Sequence, residues 1–435
     1  MAEENKKKTT TRKKKVEKKD VVEKEKVEKE KVEKIKEEPK KTEQESNGFK
    51  LWEVMVVMVV TALFGLFIGS YITYNRYNGR KVSCNAVRKD MEEISSIYDD
   101  IVNDFYGKVD KEKVLNSAIA GMVYSLDDKY SAFIENKAAS SLDEELKGKF
   151  IGLGVQVSSN EEGQIVVVSV FDDSPAAKAE IRPLDIITKV DSKEYNANNM
   201  EEMTTYIKSS KVGDKKSFEI LRNGEVINLE ITLDEVEIKS VYSYYVQRNN
   251  KNIGVVVISN FAGNTYDQLV KAYKELQKNN VHALVVDLRG NGGGYLTSAK
   301  DVSSLFLDKG MVIFMKTDGD KTETIKSNDE RLIDIPVVLL VDGNTASGSE
   351  VVVSSLRNNL NSEIVGTKTY GKGMIQKLQD LGNNKLVKYS VQEWLTSVGQ
   401  QVEGIGISPT IEVELDTNLA YDNQLETAID TAAKK

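Results

Sequence analysis

Four textures of hydrophobic and polar positions follow one another along the chain. Residues 1–48 are charged almost throughout, with near-repeats such as EKVEKEKVEK, and Val22, Val27 and Val32 recur every five residues, a period that fits neither a helix nor a heptad. Such a segment is disordered or only transiently helical through Glu–Lys pairs. Residues 54–72, VMVVMVVTALFGLFIGSYI, then run 19 positions without a charge, close to the ~20 that a membrane-spanning helix needs. Trp52, Tyr71 and Tyr74 stand at its two ends, where an aromatic belt would lie. A cleaved leader has a short basic stretch before a shorter apolar run; here 50 residues precede the run and Glu53 abuts it. The expectation is a retained anchor over 51–74, preceded by a tail of residues 1–50.

Beyond the anchor the period becomes helical. Ile94, Ile97, Tyr98, Ile101, Val102 and Phe105 follow an i, i+3, i+4, i+7 pattern, and Val114, Leu115, Ala118, Ile119 and Met122 share a second face. This predicts a helical region over 75–140, interrupted by the turn-like stretch SLDDKYSAF at 125–133. From residue 150 short alternating runs take over: FIGLGVQV (150–157), QIVVVSVF (164–171), 217–222 and 225–233 read as strands, the last two joined by an Asn223-Gly224 hairpin turn. SPAAKAEI (174–181) reads as a helix with Ser174 as N-cap and Pro175 at its first position, and 200–210 as another helix. From residue 252 buried strands alternate with helices. NIGVVVISNF, HALVVDL and VVLLVDG are strands, and 264–279, 295–308 and 347–360 are helices. That is an α/β layered core.

The order over 141–236 resembles a PDZ domain, with Gly152, Leu153, Gly154 and Val155 where such domains hold a peptide's terminal carboxylate. The chemistry is that of converging backbone N–H groups, with the peptide added as a strand to the sheet edge. GLGV alone carries little weight; SPAAKAEIRPLDIITKVD behind it carries more.

Charge and rare residues narrow the function. Residues 1–50 hold 18 Lys and Arg against 13 Asp and Glu, a net +5, so with −8 overall the remainder carries −13. An acidic bulk excludes a general nucleic-acid binder. The basic head instead places the N-terminal side of the anchor in the cytoplasm and residues 75–435 outside, although Arg76, Arg80 and Lys81 on the far side oppose this. The single cysteine, Cys84, permits no intramolecular disulfide, and the single histidine, His282, permits no multi-histidine zinc site. A Ser–His–Asp triad could use only His282. No cofactor or metal is expected.

Three segments end a core strand at a turn, where active sites concentrate. DLRGNGGG (287–294) presents a glycine run to an anion; no Lys-Ser/Thr follows, so a nucleotide phosphate loop fits less well than an oxyanion hole. In DGNTASGSE (342–350), Ser347 opens a helix, where a nucleophile gains from the helix dipole and the next N–H can hold an oxyanion; taken alone, it reads better as a plain N-cap. In GTKTYGKGMIQ (366–376), Lys372 lies between two glycines, a solvated charge unless burial lowers its pKa.

Together these segments resemble the carboxy-terminal processing, or tail-specific, proteases. DLRGNGGG is similar to the family's DLRxNPGG, TASGSE to its SASASE, TYGKGMIQ to its FGKGxVQ and SLDDKYSAF to its SLDPHSxY. The 25 residues from Ser347 to Lys372 match the family register, and the resemblance covers roughly residues 90–415. It implies an α/β, ClpP/crotonase-like protease core over 237–435 with the PDZ domain inserted before it. It further implies Ser347 as nucleophile, Lys372 as general base, Gln376 holding the lysine, and the N–H groups of Gly348 and Gly293 as the oxyanion hole. Substrates would be extracytoplasmic proteins or peptides with free, accessible C-terminal tails, and family precedent includes dimers.

The sequence departs from the family pattern at several places. Gly292 replaces the usual proline and Gly348 the usual alanine. Asn358 stands where some members carry an Asp, and RPLD (182–185) replaces KPGD. Arg182 is the candidate for coupling PDZ domain to protease. The competing readings are a non-catalytic PDZ scaffold on a degenerate core, which intact Ser347, Lys372 and Gln376 oppose, and a crotonase-type acyl-CoA enzyme, which needs neither the Ser–Lys pair nor the PDZ insert.

Overall fold

The computed structural model describes residues 84–318 and 321–435. The expected anchor at 51–74 and the charged tail before it lie outside these residues. Among the described residues no helix is long and apolar enough to cross a membrane. The chain divides into two compact units at Tyr106/Gly107. The first unit contributes α1 (Cys84–Asp104), an amphipathic helix whose Met91, Ile94, Ile97 and Ile101 are exposed.

The second unit opens with α2 (Lys111–Tyr124), capped by the Asp110 side chain on the Lys113 N–H. The chain departs from the helical reading of 75–140 at β1 (Ala132–Glu135), a strand, after which α3 (Asn136–Lys147) is again helical. β1 is made a strand by tertiary pairing: it runs antiparallel to a segment more than 250 residues downstream, with Ala132 opposite Lys388.

Next come β2 (Lys149–Gly152), β3 (Val155–Ser159), β4 (Ile165–Val170), α4 (Pro175–Lys178), β5 (Ile186–Val190) and β6 (Lys193–Glu194). They continue with α5 (Met200–Lys208), β7 (Lys215–Arg222), β8 (Glu225–Thr232) and β9 (Asp234–Glu237). The expected strand 150–157 is broken in two at Gly154, where φ is 83°. Ser174 caps α4 on the Ala177 N–H as expected, but the helix is short because Glu180 turns to φ 57°. The sheet runs β3-β4-β5-β7-β8, so β3 has one unpaired edge. Alternating Ile165 and Val167, and Phe218 and Ile220, face a core closed by Met203 and Ile207 of α5. The Asn223-Gly224 turn joins β7 and β8 with Arg222 opposite Glu225. Asp185, almost fully buried, accepts from Arg222 Nε and Nη2 at 2.7 Å each and from the Arg182 N–H at 2.8 Å.

The core proper comprises β10 (Val241–Arg248), β11 (Lys251–Ile258), α6 (Thr265–Gln277), β12 (Val281–Asp287) and α7 (Leu296–Ser304). It continues through β13 (Val312–Asp318), β14 (Lys321–Lys326), β15 (Val337–Val341), α8 (Gly348–Leu360) and β16 (Glu363–Gly366). β17 (Met374–Gly382), β18 (Lys385–Thr396), β19 (Ile411–Glu412) and α9 (Asn423–Ala433) complete it. One sheet runs β10-β11-β12-β15-β16-β19 and is parallel from β11 onward. Its strands are apolar on both sides, as parallel sheets buried on both faces require. Leu284, Val286, Leu339 and Val341 face α6, α7 and α8; Ala283, Val285, Val338 and Leu340 face α9. A second, antiparallel sheet runs β1-β18-β13-β14 with β17 on β18.

One local strain is testable. Leu184, in the RPLD stretch, is exposed and held at φ 73°, a conformation that an L side chain occupies at a cost of about 1 kcal/mol. Leu184→Gly is expected to stabilise the protein by about 0.5–1 kcal/mol, read as a raised urea midpoint.

Candidate active site

β12, β15 and β16 are adjacent parallel strands, and the three sequence segments leave their carboxyl ends. The glycine run, Ser347 and Lys372 are therefore neighbours because three strand ends are neighbours, as in other open α/β sheets. Short bonds fix the loops to one another. Ala346 N–H and Ser349 Oγ donate to the Asn291 carbonyl at 3.0 and 2.9 Å. Thr345 Oγ1 donates to the Leu288 carbonyl at 2.9 Å, and Tyr370 N–H to the Thr345 carbonyl at 3.0 Å.

The strongest tie is Glu350, which is wholly buried. One carboxylate oxygen accepts from Ser347 N–H at 2.8 Å and Lys372 N–H at 2.9 Å. The other accepts from Gly371 N–H at 2.7 Å and Thr369 Oγ1 at 2.6 Å. A single buried anion thus sets the position of both candidate catalytic residues through their main chains. The Ser-x-x-Glu spacing at a helix start is a capping-box signal, and in the fold the carboxylate also reaches the lysine loop.

Ser347 sits at φ 55° and ψ −118°, a strained conformation for a non-glycine residue of the kind that accumulates at functional sites. Ser347 and Glu350 form a capping box at the start of α8, and among the described residues the N–H of Gly348 has no hydrogen-bond partner. A side chain at Gly293 would place its Cβ 2.9 Å from Ser347 Cβ, so the glycine run lies directly against the serine. The Gly293 N–H donates to Asn291 Oδ1 at 2.9 Å and is turned away from Ser347 in this conformation.

Lys372 is held from the other side as well. Its carbonyl accepts from Trp394 Nε1 at 3.0 Å, and the next N–H, of Gly373, donates to Glu403 Oε2 at 2.8 Å. The other Glu403 oxygen accepts from the Tyr130 hydroxyl at 3.0 Å, and the Tyr130 ring lies 5.2 Å from Lys372 Nζ. Burial holds the Lys372 ammonium below the ordinary lysine pKa; the positive charge of Lys388 adds to this, and Glu403, Asp128 and Glu350 oppose it. Ser347, Lys372 and Gln376 line one cavity of about 520 Å³ whose walls include Leu142, Leu146, Ile375 and Leu378. Lys372 also lines a second cavity of about 510 Å³ with Tyr130 and Tyr370.

Other expected residues fall differently. No hydrogen bond joins Ser347 Oγ to Lys372 Nζ among the described residues. Gln376 shares the cavity, but its Nε2 donates to the Met374 carbonyl at 3.0 Å and does not reach Lys372. Lys372 precedes β17, which begins at Met374; extended chain rises about 3.3 Å per residue, so residues four apart lie farther from each other than on a helix. Asn358 Nδ2 donates to Ser397 Oγ at 2.9 Å. His282 is exposed at the start of β12, away from the strand end that carries the site. Gly152, Leu153 and Gly154 are buried and Val155 is half-buried at the open edge of β3. Arg182 has an exposed side chain whose ion partner, Glu180 at 3.9 Å, belongs to its own loop, so it makes no bridge to the protease core here. Glu350, Tyr130, Glu403 and Lys388 are the residues that motif reading did not single out.

Comparison with known proteins gives three family matches: "Activating protease CtpB N-terminal domain" over residues 68–138, PDZ domain over 152–233 and peptidase family S41 over 252–413. The chain is 33% identical over 365 residues to the carboxy-terminal processing protease CtpA of Bacillus subtilis (strain 168), covering 83% of this chain and 77% of that one. It is 31% identical over 383 residues to a probable CtpA-like serine protease of Staphylococcus haemolyticus, covering 86% and 75%. Among solved structures it is similar to the photosystem II D1 C-terminal processing protease, at 25% identity and a TM-score of 0.42 over 69% of this chain and 81% of that one. The fold and these matches define a serine-type peptidase with a PDZ domain. The chain belongs to peptidase family S41 as a carboxy-terminal processing protease.

Removing the Glu350 carboxylate strands three buried N–H groups and a hydroxyl, each costing about 1–3 kcal/mol. Glu350→Ala is expected to lower stability by several kcal/mol on that count and to reduce kcat far more than it raises KM. Urea unfolding and steady-state kinetics check both.

Proposed function

We propose that this protease cleaves peptide bonds with a Ser347–Lys372 dyad, and that its PDZ domain admits substrates by their free C-terminal tails. The observation that carries the reading is the shared Glu350 anchor. It places Ser347 and Lys372 on one cavity, where burial depresses the lysine pKa.

Neutral Lys372 takes the proton of Ser347 Oγ as the oxygen attacks the scissile carbonyl carbon. The C–N bond breaks, and the Lys372 ammonium returns that proton to the leaving amine. Water then attacks the acyl-enzyme, giving its proton to Lys372, and Ser347 Oγ departs and is reprotonated. The unpaired Gly348 N–H is the donor for the tetrahedral oxyanion. Gly293 joins it only if the glycine run turns its N–H from Asn291; in the conformation described, its lack of a side chain gives the serine room. Gln376 supports the lysine after a rotation of its amide from the Met374 carbonyl, within the cavity they share.

The open edge of β3 next to Gly152-Leu153-Gly154-Val155 suits strand addition by a substrate tail. Helix α3 supplies a route from that domain to the site. Leu142 and Leu146 line the catalytic cavity, while Glu144 pairs with Lys208 of α5 at 2.7 Å. The core is read as ClpP/crotonase-like. The apolar segment at 54–72 is read as a single membrane anchor with the N-terminus cytoplasmic and the protease extracytoplasmic. The exposed apolar stripe of α1 suits a dimer contact.

Ser347→Ala and, separately, Lys372→Ala are expected to abolish cleavage of an unstructured protein, with losses on the order of 10³-fold or more; near-normal activity in either removes the dyad assignment. Because the base works deprotonated, kcat/KM should rise with pH along a limb lying below the ordinary lysine value of 10.5. A stopped assay across pH checks this. Amidating the C-terminus of a peptide substrate should raise KM, and unchanged kinetics would count against tail capture.

A further inference from the structure

Lys388 is a second lysine in the catalytic cavity, with no role assigned by the dyad. It sits on β18, the strand between β1 and β17, opposite Ala132 on one side and Leu378 on the other. It lines the same cavity as Ser347 and Lys372. It is half-buried, and among the described residues its side chain makes no hydrogen bond or ion pair. Lys388 therefore presents to the cavity a side chain that no carboxylate among the described residues pairs with.

We propose that Lys388 is a positioning residue of the reaction: its fixed charge, facing the same cavity, repels a proton from Lys372 and so maintains the neutral base. The inference rests on the Ser–Lys reading above. A cation beside a catalytic lysine is a general means of activating it, and it acts most strongly where the walls are apolar.

The charged groups around Lys372 can be weighed one by one. Glu350, from α8, is committed to three main-chain N–H groups and the Thr369 hydroxyl. Glu403, following β18, is committed to Gly373 N–H and the Tyr130 hydroxyl, and its charge is met by Lys129 at 3.2 Å. Asp128, before β1, accepts from Ser131 Oγ at 2.5 Å and Tyr130 N–H at 3.1 Å. Glu145, on α3, lines the cavity but is exposed to solvent. The three buried or half-buried carboxylates are thus spent on other donors, whereas Lys388 is not. Burial and then Lys388 hold Lys372 below its usual pKa against the pull of those carboxylates. The same repulsion helps the reaction onward: once Lys372 carries the serine proton, Lys388 favours its release to the leaving amine.

The test is the pH profile of kcat/KM for the full chain in detergent, on a fluorogenic peptide with a free apolar C-terminus. In Lys388→Gln the acid limb should move to higher pH, because Lys372 then holds its proton more tightly. The loss should be greatest at the acid end and close at the alkaline end. Lys388→Arg should keep the wild-type limb. Should Lys388→Gln fail to fold, Lys388→Met retains the apolar stem and makes the same comparison. A limb that coincides with the wild type, or a loss equal at every pH, overturns the assignment. Lys372→Ala run alongside separates the two claims. If it still cleaves, the dyad reading fails. If it is inactive while the Lys388→Gln limb is unmoved, only the role of Lys388 fails.

Discussion

The site depends on one buried carboxylate. Glu350 gathers the N–H groups of Ser347, Gly371 and Lys372 and the hydroxyl of Thr369, and these come from the ends of two different strands. A buried anion is expensive unless its lone pairs are filled. The protein meets that requirement with donors from both loops, so burial of the charge and alignment of the loops are a single condition. The strained Ser347 backbone is tolerable for the same reason: the turn is over-determined from both sides.

Around this tie, each layer has a distinct physical task. The parallel sheet places three strand ends together. The antiparallel sheet forms the wall behind Lys372, where Trp394 fixes the lysine carbonyl and β17 and β18 supply apolar lining. Desolvation by that wall makes Lys372 a weaker acid-holder than a surface lysine. Helix α3 closes the cavity on the side facing the PDZ domain and is paired to it through Glu144 and Lys208. An exposed pair of this kind contributes about 0–1 kcal/mol.

Much of this was legible in the chain. Runs such as HALVVDL and VVLLVDG are apolar without alternation, which marks strands buried on both faces, and the glycine-flanked motifs at their ends located the site. Ser174-Pro175 and Asn223-Gly224 marked a helix start and a hairpin through local chemistry alone. The antiparallel sheet was not legible. β1 is four residues long and pairs with a strand more than 250 residues away, while β17 is mostly exposed and mixed in polarity. The stretch holding β1 and α3 was read as helix and turn for that reason. The family resemblance assigns Gln376 to the lysine; in the structure it lines the same cavity with its amide on the Met374 carbonyl. Glu350 looked like an ordinary helix-start acid, since nothing in sequence reveals that a second loop will fold onto it.

The central claim is that Lys372 activates Ser347. It is tested most directly by following covalent labelling of Ser347 with a fluorophosphonate probe as a function of pH, in the wild type and in Lys372→Ala. The labelling rate is expected to rise through a single ionisation below the ordinary lysine value and to be lost, with its pH dependence, when Lys372 is removed. Labelling that is independent of pH, or undiminished in Lys372→Ala, would contradict the claim.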